Sequence, residues 1–299
     1  MNRVSLSAII LTFNEEIHLQ RCIDSLKNVC EDIIIVDSFS KDKTKDIALK
    51  NNARFVQNKW INHAIQFNWA LENCDIKKDW ILRLDADEYL TPALQDEIIE
   101  KLNLIDLSVT GIMLPLQRIF MNRHLKKGYD EIKLLRIFRN GKGKSENRWM
   151  DEHISLSEGL TIEFSNSLAD HNLNSLHWWT TKHNGYSIRE AIDLLDIELG
   201  IVTHKKEISK ISAQAAKKRK LKKNYAHKPL FLRAFIYFIY RYFFRLGFTE
   251  GKEGFLWHFL QGWWYRTLVD AKIYEIKKAC GNDKEKIKDY IQKQYQIVI

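Results

Sequence analysis

The sequence predicts an α/β fold: a Rossmann-like mixed sheet flanked by helices, followed by a helical region rich in aromatic and basic residues. Two observations carry this. Four short apolar runs, Val4 to Phe13, Ile33 to Val36, Ala53 to Gln57 and Trp80 to Leu84, alternate with stretches whose apolar residues recur at helical spacing. That is the pattern of a parallel sheet covered on both faces. After residue 105 the alternation changes, and Gly111 to Ile119 and Lys133 to Phe138 read as short strands, so the sheet is expected to be mixed.

Each helix has its own warrant. Asn14-Glu15-Glu16 opens the first, with Ile17, Leu19, Cys22, Ile23 and Leu26 as the apolar stripe and Asn14 as the N-cap. SFSKDKT turns the chain into a short helix through Leu49. His63 to Asn73 repeats Ala64, Phe67, Ala70 and Leu71, and Pro92 to Leu102 starts with a proline in the first turn. Asn174 to Gly200 is a longer helix carrying Trp178, Trp179, Tyr186, Ile188, Ala191 and Leu195. Residues 205 to 228 are polar and basic, Pro229 begins the aromatic run LFLRAFIYFIYRYFFRLGF, and the charged tail from Lys277 reads as a surface helix. The expected division is a catalytic domain over 1–204 and a basic, helical region over 205–299.

With 299 residues, 45% hydrophobic and 28% charged, the chain has enough apolar material for a packed core. The net charge of +9 is concentrated around KKRKLKK, Lys217 to Lys223. Such an excess suits nucleic acid, anionic lipid or a phosphorylated substrate, but no RRM, KH or zinc pattern accompanies it. Cys22, Cys30, Cys74 and Cys280 make no CxxC pair, which reads as reduced cytosolic thiols. The N-terminal apolar run is too short for a signal peptide and is expected to be the first strand, and no uncharged stretch reaches the ~20 residues of a membrane span.

Ligands on parallel sheets bind beyond the carboxyl ends of the strands. Three polar tips, Phe13-Asn14, Asp37-Ser38 and Asp85-Ala86-Asp87, are expected on that edge. Asp85 and Asp87 stand two apart at the end of an apolar run, with Glu88 beside them. In extended backbone they point to one side and repel unless a cation lies between them. Mg2+ or Mn2+ would satisfy them and share a substrate phosphate. A solvated turn before Pro92 is the plainer reading of the same spacing. By the same token Phe13 reads equally as core, and Asp37 as the cap of the turn that follows it.

In combination, TFNEE (12–16), VDSFSKDKT (36–44) and LRLDADEYLTP (82–92) resemble the family 2 glycosyltransferases, which have a GT-A fold. RWMDEHI (148–154) and GFTEGKEGFLWHFLQGWWYR (247–266) resemble the branch that extends lipopolysaccharide cores, with Asp151 where that branch often has His. The resemblance implies an inverting, metal-dependent transfer from a nucleotide-sugar, most often a UDP-sugar, to a surface-glycan or lipid-linked acceptor at the cytoplasmic face of the membrane. It implies that Phe13, with Asn14 beside it, meets the base, Asp37 the base or ribose, Asp85 the ribose and diphosphate, and Asp87 the metal. Asn68 and Arg83 become donor contacts, and Glu152, with Asp151 next to it, the acid-base group. His171, in LADHNLNS, is expected to close the metal or diphosphate site. A polyprenol-phosphate sugar synthase and a nucleotidyltransferase are the alternatives, the second disfavoured by the lack of a Gly-rich, Lys-containing loop after the first strand.

The basic and aromatic C-terminal part has two further readings, an ordinary buried helix or an interfacial helix on an anionic leaflet. Arg233, Arg241 and Arg245 recur at four and eight residues and share a helical face. In the interfacial reading that face meets headgroups, with the aromatic residues below.

Overall fold

The computed structural model describes residues 3–146, 153–202 and 213–297 and divides into two compact units. The first holds residues 3–124, 131–146 and 153–173. Its elements begin as expected: β1 (Val4–Thr12), α1 (Leu19–Leu26), β2 (Cys30–Asp37), α2 (Thr44–Lys50), β3 (Arg54–Gln57), α3 (His63–Asn73), β4 (Trp80–Asp85), β5 (Glu88–Leu90), α4 (Pro92–Lys101) and β6 (Val109–Phe120). β7 (Arg123–Leu125), β8 (Ile132–Arg139), β9 (Gly143–Ser145), β10 (Ile154–Leu156), β11 (Leu160–Glu163) and β12 (Leu168–His171) follow.

The sheet is the mixed one the sequence predicts, in the order β3-β2-β1-β4-β8-β6-β12-β5. β1 pairs in parallel with β2 and β4, β8 runs antiparallel between β4 and β6, and β12 runs parallel to β6 and antiparallel to β5. Only Ala86 and Asp87 separate β4 from β5, yet β5 is paired at the far end of the path. Three peptide steps span at most about 10 Å, so the sheet has to curl until its end strand returns to β4.

Both faces of β1 are buried, in alternation. Leu6, Ala8 and Ile10 join the cluster that includes Leu19, Ile23 and Leu26 of α1 and Leu94 and Ile98 of α4, whereas Ile9 and Leu11 join Phe67 and Ala70 of α3. Helix starts follow local chemistry. Asn62 accepts from the Ile65 amide to cap α3, and Thr91 caps α4 with Pro92 in its first turn. Asn14 does not cap α1. It has a left-handed backbone (φ 55°), and the helix begins only at Leu19.

The second unit takes in residues 125–130, 174–202 and 213–297. It contains α5 (Leu176–Leu199), α6 (Ala213–Ala226), α7 (Leu232–Ile239), α8 (Gly251–Trp257), α9 (Tyr265–Cys280) and α10 (Lys284–Tyr295). The expected boundary at 204 put α5 with the first domain. Its stripe of Ile188, Ala191, Ile192 and Leu195 instead packs with Val269, Ile273 and Ile276 of α9 and Ile287 and Ile291 of α10. Ser175 caps the start of α5, and Gly200 ends it in the left-handed conformation.

The face shared by Arg233 and Arg241 points inward, the reverse of an interfacial helix with its arginines at headgroups. Arg233 is buried against Asp270, donating from Nε at 2.8 Å and Nη2 at 2.5 Å, and Nη1 donates to the carbonyls of Tyr225 and Ala226 at the end of α6. Arg241 is buried, donating to the Gly128 carbonyl at 3.1 Å and to Gln261. A guanidinium can be buried only when its N–H groups find acceptors, and here they do. Arg245 stays partly exposed, 2.7 Å from Asp130.

His258 is fully buried where Gly128 (φ +87°) and Gly247 leave room for its ring; a Cβ at either glycine would overlap it. Burial first, and Arg241 second, hold its imidazole down at about 4. The unfolded chain gains that proton near pH 6.5, so the contribution is complete above about pH 6.5 and is lost as pH falls toward 4. Chemical denaturation across this range is expected to show up to about 3 kcal/mol of acid destabilisation, with a flatter slope in His258→Gln.

Candidate active site

The carboxyl ends of β1, β2 and β4 form one edge, since Thr12 is in register with Asp37 and Leu11 with both Val36 and Asp85. Phe13 stands just beyond that edge and is 58% exposed, so it is not a core residue. The loops after β1 and β2 are stitched together. The Asn14 amide donates to Ser40 Oγ at 2.7 Å, the Lys41 amide to Asn14 Oδ1 at 2.9 Å and the Glu15 amide to Thr44 Oγ1 at 2.8 Å.

Asp37 is fully buried and both of its oxygens are engaged. Thr12 donates to Oδ1 at 3.0 Å, as does Ser40 Oγ, while Oδ2 accepts from the Ser40 amide at 2.8 Å and Gln57 at 3.0 Å. In this arrangement it fastens the tips of β1, β2 and β3 together and does not present an oxygen to a base or ribose. Asn68 likewise has a partner other than a donor: it donates to the Ser145 carbonyl and accepts from the Ser145 amide, both at 2.8 Å. That pins β9, which pairs with β10, and the Glu146 amide donates to the His153 carbonyl at 2.9 Å. Asp151 and Glu152, between these anchors in sequence, lie outside the described residues.

Arg83 and Asp85 share the face of β4 that looks toward α3. The Arg83 guanidinium lies over the Phe67 ring at 5.5 Å and 4.0 Å from Asp85. Asp85 and Asp87 are not on one extended strand, because the chain turns between β4 and β5. Glu88 holds that turn: Oε2 accepts from the Asp85 amide at 3.0 Å, and Oε1 meets Arg136 Nη2 of β8 at 2.5 Å. Arg136 is also 3.6 Å from Asp85. Burial pushes the Glu88 carboxyl up to about 8, with Arg136 opposing and Asp85 adding. Burial likewise raises Asp170, on β12, to about 6, with Arg118 opposing and Asp87 and Asp85 adding.

Asp87 is held from below. Asn172 donates to Oδ2 at 2.9 Å, and the Asp87 carbonyl accepts from the His171 amide at 3.0 Å and from Arg21 Nη2 at 3.4 Å. Arg21, on α1, stacks over Tyr89 at 4.6 Å, donates to the His171 carbonyl at 2.5 Å, and approaches His171 Nδ1 at 3.0 Å. Because a guanidinium can only donate, His171 Nδ1 is the acceptor and the ring proton is on Nε2, facing Asn122 Oδ1 at 3.0 Å. Both ring nitrogens of His171 are therefore engaged by protein partners, and burial, then the Arg21 cation, lower its pKa. His18 has the opposite tautomer: Nε2 accepts from the Leu173 amide at 2.8 Å, so Nδ1–H donates to Glu15 at 2.6 Å.

Among the described residues no three His, Cys, Asp or Glu side chains are grouped to hold a metal. Asp85 and Asp87 nonetheless suit a hard divalent ion of the kind that takes one or two carboxylates and completes its shell with phosphate and water. Sequence reasoning missed Arg21, Arg136, Asp170 and Asn172 and gave Glu88 no role. Arg136 had a signal, since a cation inside the apolar strand LLRIF requires a buried partner. Arg21 and Asn172 had none, because their partners are 66 or more residues away.

Residues 7–155 match the glycosyl transferase family 2 model. An uncharacterized glycosyltransferase of Rickettsia bellii is 45% identical over 93 residues, 31% of this chain and 31% of that protein. The lipopolysaccharide core biosynthesis glycosyltransferase LpsC of Rhizobium meliloti is 33% identical over 147 residues, 48% of this chain and 53% of that one. The chain thus spans between a third and about half of the length of these relatives. Among solved structures, S. aureus TarS aligns over 74% of this chain and 43% of its own at 12% identity, with a TM-score of 0.43.

Arg136→Met leaves Glu88 buried without its cation and is expected to cost up to about 3–5 kcal/mol in chemical denaturation above about pH 8, where Glu88 is ionised, and less below it, with much of the loss recovered in Glu88→Gln/Arg136→Met. Long-range proton–nitrogen NMR is expected to find the ring proton on Nδ1 of His18 and on Nε2 of His171.

Proposed function

We propose that this chain, whose residues 7–155 constitute a family 2 glycosyltransferase domain, moves a sugar from a nucleotide-sugar, most simply a UDP-sugar, to a hydroxyl of a lipopolysaccharide, capsule or other surface-glycan acceptor. The observation that carries the reading is one edge holding both an exposed aromatic ring, Phe13, and the rigid Asp85–Asp87 turn. A base needs the first and a diphosphate with its cation the second. The similarity to LpsC over 147 residues supports the acceptor class.

Asp87 and Asp85 would hold a Mg2+ or Mn2+ ion, which supplies positive charge against the departing diphosphate. Phe13 stacks on the base, and Asn14 keeps its loop fastened to Ser40 and Lys41. Asp37 acts through the same loop rather than by touching the nucleoside. Arg21 and Asn172 fix Asp87, so the carboxylate does not reorganise as charge develops. Arg83 stands beside Asp85 and adds positive charge near the diphosphate.

The acceptor oxygen attacks the anomeric carbon from the face opposite the diphosphate, with inversion. Glu152 takes the hydroxyl proton, the bond to the diphosphate oxygen breaks, and its electron pair leaves with the nucleoside diphosphate. Asp151 is the neighbouring carboxylate. The support for Glu152 is its place in RWMDEHI, between two backbone anchors that Asn68 and His153 hold. The first unit carries this chemistry, and the helical second unit carries contact with the cytoplasmic face of the membrane, where a lipid-linked acceptor is within reach.

A thermal-shift screen of nucleotide-sugars with and without Mn2+ or Mg2+ tests the reading. One donor is expected to raise the melting temperature only with metal, and Asp87→Asn is expected to abolish that dependence. Phe13→Ala should weaken donor binding about tenfold or more at unchanged stability. Glu152→Gln should bind donor normally and lose at least about a hundredfold in kcat. Full activity in both Asp87→Asn and Glu152→Gln rules the mechanism out.

A further inference from the structure

The second unit turns a helix inside out. Along α7 and the π-helical turn that continues it (Tyr240–Phe244), the buried positions include both arginines, Arg233 and Arg241. The exposed positions are apolar: Phe231, Phe235, Ile236, Tyr240, Phe243 and Phe244, the last 76% exposed. They recur at intervals of about four residues and so form one stripe.

The stripe continues onto the next helix through ring contacts. Phe235 meets Trp263 at 5.4 Å, Trp263 meets Phe259 at 5.9 Å, Phe259 stacks on Phe255 at 6.0 Å, and Phe255 meets Tyr242 at 5.8 Å. Tyr242, Phe259 and Trp263 are half-buried and link the exposed rings into one contiguous face, which is uncommon on a monomer and marks a surface that something covers. Leaving these rings exposed is costly in water.

The charge pattern selects the occupant. From residue 213 to 249 there are ten Lys or Arg and no Asp or Glu; Arg233 and Arg241 are internal, and Arg245 and Lys222 pair with Asp130 and with Glu190 and Asp193. Lys220, Lys223 and Lys228 lead into the face and are exposed, as is Lys252 beyond it. Glu250, the first acid to follow, is buried and accepts from the Lys126 amide at 3.0 Å. Apolar and aromatic side chains with cations on both sides in sequence match a surface that is hydrocarbon at depth and anionic at its boundary. Among the described residues no helix is long and apolar enough to cross a membrane.

We infer that this face docks on an anionic lipid surface, with Phe231, Ile236, Tyr240, Phe243 and Phe244 entering the headgroup–acyl boundary while Arg233 and Arg241 stay inside as structural cations. The inference deepens the membrane-side part of the proposed function and rests on that part alone, because docking requires neither donor nor metal.

Flotation of the full chain, without nucleotide, on phosphatidylcholine vesicles with and without phosphatidylglycerol is the test. Binding is expected to the mixed vesicles and to be much weaker to phosphatidylcholine alone. Phe243→Ser/Phe244→Ser changes only exposed side chains and should lower partitioning at least about tenfold, as should Phe231→Ser/Ile236→Ser, while metal-dependent donor binding is retained. Failure to float with the mixed vesicles overturns the inference, as does unchanged flotation of both double variants. A dimer that either double variant converts to monomer, with no vesicle binding, assigns the face to a second copy and also overturns it. Loss of donor binding in the wild type, by contrast, bears on the transferase reading and leaves this one standing.

Discussion

The turn at the end of β4 depends on a buried contact between the Glu88 carboxyl and the Arg136 guanidinium. Glu88 accepts from the Asp85 amide with one oxygen and from Arg136 with the other, so a single carboxylate joins β4, β5 and β8 at the point where the sheet has to close. Asp85 and Asp87 owe their positions to these contacts. Fixed carboxylates suit a site that meets developing charge, because nothing has to reorganise when the charge appears.

The same economy of buried charge recurs throughout the protein. Arg21 supports Asp87 through backbone carbonyls and His171, Asp37 is surrounded by donors, and Arg233 binds Asp270 together with the last carbonyls of α6. In the second unit the consequence is geometric. Once Arg233 and Arg241 are committed to internal acceptors, the opposite side of their helix has to face outward, and that side is aromatic. The exposed face thus follows from where the acceptors are.

Much of the first unit was legible before any coordinates. Apolar runs bounded by turn residues located β1, β2, β3, β4, β6 and β8, and the helical stripes located α1 to α5 to within a few residues. β5, β7, β9, β10 and β11, of three or four residues each, were not legible; β3, equally short, was, because it stands between two helical stripes. The curl was equally hidden, since it depends on β5 pairing with β12, more than seventy residues later.

By itself, the sequence determined the class of fold, the edge on which chemistry is to be sought, and the residues at its tips, because strand burial and strand ends are written in local hydrophobic pattern. Only the tertiary structure decided which charged groups are spent internally. Asp37, Asn68 and His171 look like ligand contacts in sequence and are engaged by protein partners in space. Arg233 and Arg241 look like a headgroup face and lie inside. The physical reason is the same in each case: a polar side chain's role is set by the donors and acceptors that reach it, and those come from elements distant in the chain.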